Sequence, residues 1–406
     1  MKNRIAVLGV GSAGIQSLCH MLANLDNSWT VVSIYDKNIP NLGIGESTNP
    51  SFLTALENGL DFTFIEDSIK LDATVKLGTT YKNWREKDFT NPLIKGSAAI
   101  HFNTSKLKDF ALPRLKERWG DRFSVIEGHV DNIKNTQISA TILIDGIEEK
   151  FDYVIDCRGF PKEFTSDYVI NEHISVNHAL VHNIQVPGTQ LSTGHRATKD
   201  GWMFEIPLTT RQSFGYMFND EITSAEEAKK NFAEEINVSF KNLDDIEYKF
   251  KSYYSKRVLD KRILKNGNAA VFFEPMMANS LWLYDQINRV FVEFLKEKLN
   301  QDEVNNIFTD CALRVKDMIS YNYHGGSNHD TEFWRGIKIT RQEKLRNSTY
   351  FETARKEFKE FKETNSWVSY ADSTYTGWVF GPYNLMRLDK NFGYNYFTTD
   401  KEVPYG

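Results

Sequence analysis

Three cysteines in 406 residues, at positions 19, 157 and 311, are too few and too widely spaced to brace a fold with disulfides or to hold a zinc ion. No apolar run approaches the roughly 20 residues needed to cross a bilayer, so no membrane partner is expected. Basic blocks are absent and the formal net charge is -5, which argues against nucleic acid as a partner. Repeats and low-complexity linkers are missing too. There is no Gly-x-Ser-x-Gly elbow and no His-Glu-x-x-His pair, which removes two hydrolase designs. What remains is a globular composition, 41% hydrophobic and 25% charged. Aromatics reach 13%, which suits a flat, π-rich ligand or simply an aromatic core. The first apolar run starts near residue 4 and leaves no room for a leader peptide, so a cytoplasmic location is expected.

The most informative segment follows that run. Ile5-Ala6-Val7-Leu8 leads into Gly9-Val10-Gly11-Ser12-Ala13-Gly14, and a second apolar run, Val31 to Tyr35, ends in Asp36. This is a strand, a glycine turn, a helix and a strand closed by a carboxylate: the dinucleotide-binding fingerprint in its required context. Gly9 permits the tight turn, Gly11 lets the backbone approach a pyrophosphate, and Gly14 lets the helix pack closely on the sheet. The helix amino end offers unpaired N–H groups to phosphate. Asp36, 22 residues after Gly14, is placed to accept hydrogen bonds from a ribose. A second glycine loop, Gly43-Ile44-Gly45-Glu46-Ser47-Thr48-Asn49-Pro50, follows; it reads as a loop over a flavin, with Ser47 and Thr48 supplying hydroxyls and a cap to the next helix.

Helices are expected over 51–60, 64–71, 106–119 (with Pro113 as a kink), 280–299 and 351–361. Strands are expected over 123–126, 138–144 and 151–156, and an antiparallel sheet over 175–220. Ser224 to Glu227 reads as a capping box opening a helix to about Ile236. His324 and His329 flank a glycine loop that imposes no ligand geometry, so a metal site is not expected there.

Six motifs in register resemble the flavin-dependent halogenases of the tryptophan-halogenase family. They are Gly43 to Pro50; Val75 to Trp84, in which Lys76 lies eight residues before Trp84; Asp156-Cys157-Arg158-Gly159; Trp202-Met203-Phe204-Glu205-Ile206-Pro207; Phe272-Phe273-Glu274-Pro275; and Asp330-Thr331-Glu332-Phe333-Trp334. The resemblance implies an α/β fold: a Rossmann-type FAD-binding domain interleaved with an antiparallel-sheet and helical substrate domain, as in flavin monooxygenases and halogenases. The expected lobes are 1–165 with 255–300 for FAD, and 166–254 with 301–406 for substrate. It further implies that FADH2, supplied by a separate flavin reductase, reacts with oxygen, that halide is oxidised to hypohalous acid, and that this acid travels through an internal tunnel to a lysine. That lysine is Lys76, with Lys82 as a nearby alternative facing either way. Gly9, Gly11, Gly14, Asp36, Gly45, Glu46, Ser47 and Thr48 would hold FAD. Trp202, Phe204, Ile206 and Pro207 would form the barrier between flavin and substrate. Pro275, Met277, Ala278, Asn279 and Ser280 would border the flavin and the halide, which is chloride, bromide or iodide.

The chain departs from the family at informative places. Met277 stands where the family has a glutamate that steadies the ring intermediate or takes its proton. Three explanations are open: a substrate electron-rich enough to do without it, such as a phenol; another carboxylate from elsewhere; or no halogenation at all. Asn279 and Ser280 replace a threonine and a glycine, which leaves room for a preference for bromide or iodide. Phe204 replaces the second signature tryptophan. The stretch from Arg85 to Ser105 is much shorter than in tryptophan-specific members, implying a more open site; His101 and Phe102 in it either line the pocket or fill plain strand positions. The expected function is electrophilic halogenation of an electron-rich aromatic small molecule. The alternatives are an FAD-dependent monooxygenase or reductase on the same scaffold, or an inactive flavoprotein. Homo-oligomerisation is left open.

Overall fold

The computed structural model describes residues 2–40, 43–93, 95–171, 175–364, 382–397, 399 and 402–404. The chain divides into two compact units, one of Met1–Ala73, Phe102–Ile170 and Tyr253–Ala312, the other of Thr74–His101, Asn171–Ser252 and Leu313–Gly406. Part of the expected substrate lobe, 365–381, lies outside the described residues.

In the first unit, five parallel strands stand in the order Phe123–Glu127, Trp29–Tyr35, Asn3–Leu8, Tyr153–Asp156, Ile263–Lys265, with Leu259–Asp260 antiparallel at the edge. Taking these five strands in chain order, this is the 3-2-1-4-5 order of a doubly wound sheet, and its strand order reverses between Asn3–Leu8 and Tyr153–Asp156. Ile5, Ala6, Val7 and Leu8 are all fully buried, as a strand covered on both faces must be. One face packs Ala6, Leu8, Val32 and Ile34 against Ala140, Ile142 and Ile144 of a three-stranded antiparallel sheet. Two strands of that small sheet, Val130–Asn135 and Ile147–Phe151, escape a reading by apolar pattern because most of their outward residues are charged or polar.

Helix Ser12–Asn24 joins helix Asn279–Leu295 through buried polar contacts. Gln16 Nε2 donates to the Leu281 carbonyl at 3.3 Å, and His20 Nε2 lies 2.7 Å from Asp285 Oδ1. Helix Leu107–Trp119 holds Pro113 in its interior, which leaves the Asp109 carbonyl without its usual donor.

The second unit is built on seven strands in the order Ile246–Lys249, His178–Ile184, Gln212–Phe218, Gly201–Pro207, Ser192–Thr198, Gly78–Lys82, Phe89–Pro92. All neighbours are antiparallel except Ser192–Thr198 and Gly78–Lys82. That one parallel pairing draws residues 74–101 into this unit, whereas the sequence reading grouped them with 1–165. Helix Ala225–Glu235 covers one face, where Phe232 and Ala228 pack on Leu180, Met203, Tyr216 and Phe218. Ser224 caps it, accepting from the Glu227 N–H at 3.2 Å. A separate two-stranded pair joins Thr74–Lys76 to Ala99–His101. Among the described residues no helix is long and apolar enough to cross a membrane.

Candidate active site

In the first unit the glycine turn sits at the carboxyl ends of the strands, beside the reversal of strand order. Gly9 has φ +93°, and a Cβ there would meet the Cys157 carbonyl oxygen at 2.8 Å. A Cβ on Gly14 would lie 2.0 Å from the Gly9 carbonyl oxygen. Gly11 precedes helix Ser12–Asn24 with no side-chain cap, so the first N–H groups of that helix keep their capacity for an anion. Asp36 closes its strand as expected. It already accepts from His129 Nδ1 at 2.9 Å and from the Asn38 N–H at 2.8 Å, and the Asn38 bond, then the His129 bond, hold its carboxyl below the ordinary range.

Gly43 and Gly45 have φ +67° and +85°, with nothing near an added Cβ. Glu46 and Thr48 are buried and Ser47 half-buried. The cap of helix Pro50–Leu60 is neither Ser47 nor Thr48. It is Asn49, whose Oδ1 accepts from the Phe52 N–H at 3.0 Å, because Pro50 at the helix start puts the capping position immediately before it. Asn49 Nδ2 also reaches the Ala278 carbonyl at 3.4 Å. The loop expected over the flavin and the turn expected at the halide are therefore joined.

That turn is strained. Met277 and Ala278 have φ +61° and +55°, a region that costs a residue with a Cβ roughly 1–2 kcal/mol. Asn279 holds it in place: its Nδ2 donates to the carbonyls of Glu274 at 2.9 Å and Met276 at 2.7 Å. Pro275 precedes the turn, and helix Asn279–Leu295, with Ser280 in its first turn, starts with no side-chain cap. Burial pushes the Cys157 thiol up to about 12.

In the second unit Lys76 is 3% exposed, and burial alone lowers its amine to about 7. Lys82 differs. Strand alternation turns it to the opposite face from Tyr81, where its Nζ lies 2.6 Å from Glu205, which also pairs with Arg196 at 2.8 Å. His101 lies fully buried beside Lys76. Thr74 Oγ1 donates to the Pro207 carbonyl at 2.7 Å, so His101 Nδ1, 3.0 Å away, must donate to Thr74. His101 Nε2 then accepts from Thr193 Oγ1 at 2.9 Å. Burial first, and then the Lys76 charge, keep this ring neutral. Phe102, stacked on Phe52 at 5.4 Å, is a core residue of the first unit.

Trp202, Phe204 and Ile206 alternate onto the sheet face away from helix Ala225–Glu235, and all are buried. The Phe204 ring lies over Gly215, where a Cβ would be 2.2 Å from its carbons. Pro207 ends the strand and is tied to Thr74. Facing the same way is His195, which the sequence reading missed. It pairs with Tyr81 and Phe204 across the two neighbouring strands, and its ring lies 4.9 Å from Trp202 and 5.5 Å from Tyr81.

The signature tryptophans outside that face are fasteners. Trp84 Nε1 donates to the His195 carbonyl at 3.0 Å and Trp334 Nε1 to the Thr198 carbonyl at 2.7 Å. Thr331 caps helix Glu332–Arg346 and also donates to the Lys199 carbonyl at 2.7 Å. Trp334→Phe removes the indole donor from the Thr198 carbonyl and is expected to cost about 1 kcal/mol in urea denaturation. A change below about 0.5 kcal/mol would show that water replaces the indole at no loss. His329 Nε2 lies 3.1 Å from the Ala197 carbonyl, and His324 is engaged at both nitrogens, by the Tyr321 carbonyl at 2.7 Å and Tyr396 Oη at 3.0 Å.

A family model described as tryptophan halogenase matches residues 4–119 and 86–377. The chain belongs to the tryptophan halogenase family. RebH of Lentzea aerocolonigenes, a tryptophan 7-halogenase, is 21% identical over 427 residues, covering 84% of this chain and 79% of RebH. Among solved structures, VirX1 superposes with a TM-score of 0.77 at 17% identity, covering 98% of this chain and 94% of its own. A tryptophan halogenase from Shewanella frigidimarina gives 0.76 at 16%, covering 99% and 90%. Likeness at such identities speaks for the fold.

This halogenase is thus a flavin-dependent enzyme, and its first unit has the features FAD needs. The positive φ of Gly9, the bare Gly14, the uncapped helix and the open Gly43–Gly45 loop form a cradle that side chains would fill. The halogenase family works with FAD, halide and a separate flavin reductase.

Proposed function

We propose that this halogenase brominates or iodinates an electron-rich aromatic small molecule through Lys76. The observation that carries the reading is a lysine buried to 3% exposure, with its amine lowered to about 7, in the unit that bears the aromatic face. Reduced FAD, with oxygen, supplies the oxidising equivalents that turn halide into hypohalous acid. Gly9, Gly11, Gly14, Asp36, Gly45, Glu46, Ser47 and Thr48 hold the cofactor. The turn from Pro275 to Ser280 offers backbone N–H groups to the halide. Its strained residues, together with Asn279 and Ser280 where relatives have threonine and glycine, favour a larger and more easily oxidised ion.

Near neutral pH Lys76 is poised between two useful forms. As an ammonium it polarises the O–X bond by hydrogen bonding; as an amine it can capture the halogen. Trp202, Phe204, Ile206 and Pro207 keep the oxidising side apart from the acceptor ring. Met277 cannot do a carboxylate's work, so rings that push out their own proton, such as phenols, are the best substrates.

The test is a matrix of chloride, bromide and iodide against resorcinol, indole and tryptophan, with a flavin reductase. Halogenated resorcinol, most with bromide or iodide, supports the reading. Hydroxylated product without halide dependence would mean a monooxygenase, and no product with any halide would mean an inactive flavoprotein.

A further inference from the structure

We propose that His195 accepts the proton that the aromatic ring loses when it takes the halogen. The proposal rests on halogen transfer through Lys76 and names the group that does there what the family's glutamate does and Met277 cannot. Two imidazoles feel the Lys76 charge, His101 and His195. His101 is committed at both nitrogens, donating to Thr74 and accepting from Thr193. His195 is not: its Nδ1 is buried with no hydrogen-bond partner among the described residues. A buried polar atom left unpaired costs about 1–3 kcal/mol, so its retention asks for a use. The ring projects onto the face that carries Trp202 and Phe204. Its backbone is fixed by the Trp84 indole on its own carbonyl.

The step balances. The O–X bond of hypohalous acid breaks as the C–X bond forms on the ring. The departing hydroxide takes a proton from the Lys76 ammonium and leaves as water. The ring C–H bond then breaks, its electron pair restores aromaticity, and the proton passes to His195. Return of that proton to Lys76 resets both groups, so the sum is HOX + ArH → ArX + H2O. The coupling runs the right way. Burial, and after it the Lys76 charge, hold the His195 ring at about 3; Tyr81 stands beside His195 and His101 beside Lys76. When Lys76 gives up its proton, the electrostatic part of that opposition goes, and the imidazole becomes the stronger base as the ring proton leaves.

Resorcinol and its dimethyl ether separate the roles, because only resorcinol can release an O–H proton of its own. His195→Phe is expected to lower kcat on the ether by at least about tenfold with KM little changed, and on resorcinol by less than about threefold. Ring deuteration should have no effect on the wild type and should slow His195→Phe on the ether by about twofold or more, because C–H cleavage becomes limiting. A merely structural histidine would not produce that isotope effect. His195→Gln gives the same readout should the phenylalanine variant not fold. A folded variant with wild-type kcat on the ether and no isotope effect overturns the proposal. Failure of the wild type to halogenate resorcinol instead removes Lys76-mediated transfer, and this proposal with it.

Discussion

Lys76→Met is expected to make the folded protein more stable at neutral pH. The Lys76 amine falls from 10.5 to about 7 through burial, a gap worth at most ~5 kcal/mol. Below about pH 7 the folded and unfolded chains both carry the proton, and the folded state bears the whole penalty of a buried charge. Between about 7 and 10.5 only the unfolded chain keeps the proton, so wild-type stability rises with pH. Above 10.5 the difference is gone. Denaturant titrations of the two proteins should therefore diverge most on the acid side, by a few kcal/mol, and converge toward pH 10. Curves that run parallel across this range would place the amine in water. A site that lowers stability in this way is what a functional lysine looks like, and a lysine kept only for solubility would not be buried.

Gly14→Ala is expected to abolish tight FAD binding. The new methyl would lie 2.0 Å from the Gly9 carbonyl oxygen, a backbone atom that no rotamer change can move. Relief must come from displacing the glycine turn, the part of the cradle that would approach the pyrophosphate. An overpacking cost of about 3 kcal/mol, borne in the binding conformation, weakens affinity roughly a hundredfold. Flavin fluorescence titration measures it, and wild-type affinity in the variant would mean that FAD does not use this turn.

The sequence shows the glycine turn and Asp36 plainly because their requirement is local: a positive φ at Gly9, no side chain at Gly14, and a carboxylate at the strand end. Lys76 is singled out by the family resemblance of the segment from Val75 to Trp84. The place of Trp84 has a physical reason the sequence does not display, since its indole reaches a carbonyl 111 residues away. His195 is not legible in the sequence for the same reason. Its importance comes from the parallel pairing of Ser192–Thr198 with Gly78–Lys82, and no local pattern announces a pairing of that span. The cap at Asn49 has a signal in the sequence, the Asn-Pro pair ahead of an apolar run, but the two hydroxyls before it compete for the same role. The face taken by Lys82 is marked by Glu205 and Arg196 beside it, both distant in sequence.

The most direct test follows FADH2 oxidation and resorcinol halogenation together in Lys76→Met, with excess bromide. Oxidation at the wild-type rate with no halogenated product is the outcome expected if the halogen passes through this amine. Halogenated product at the wild-type yield would show that it does not.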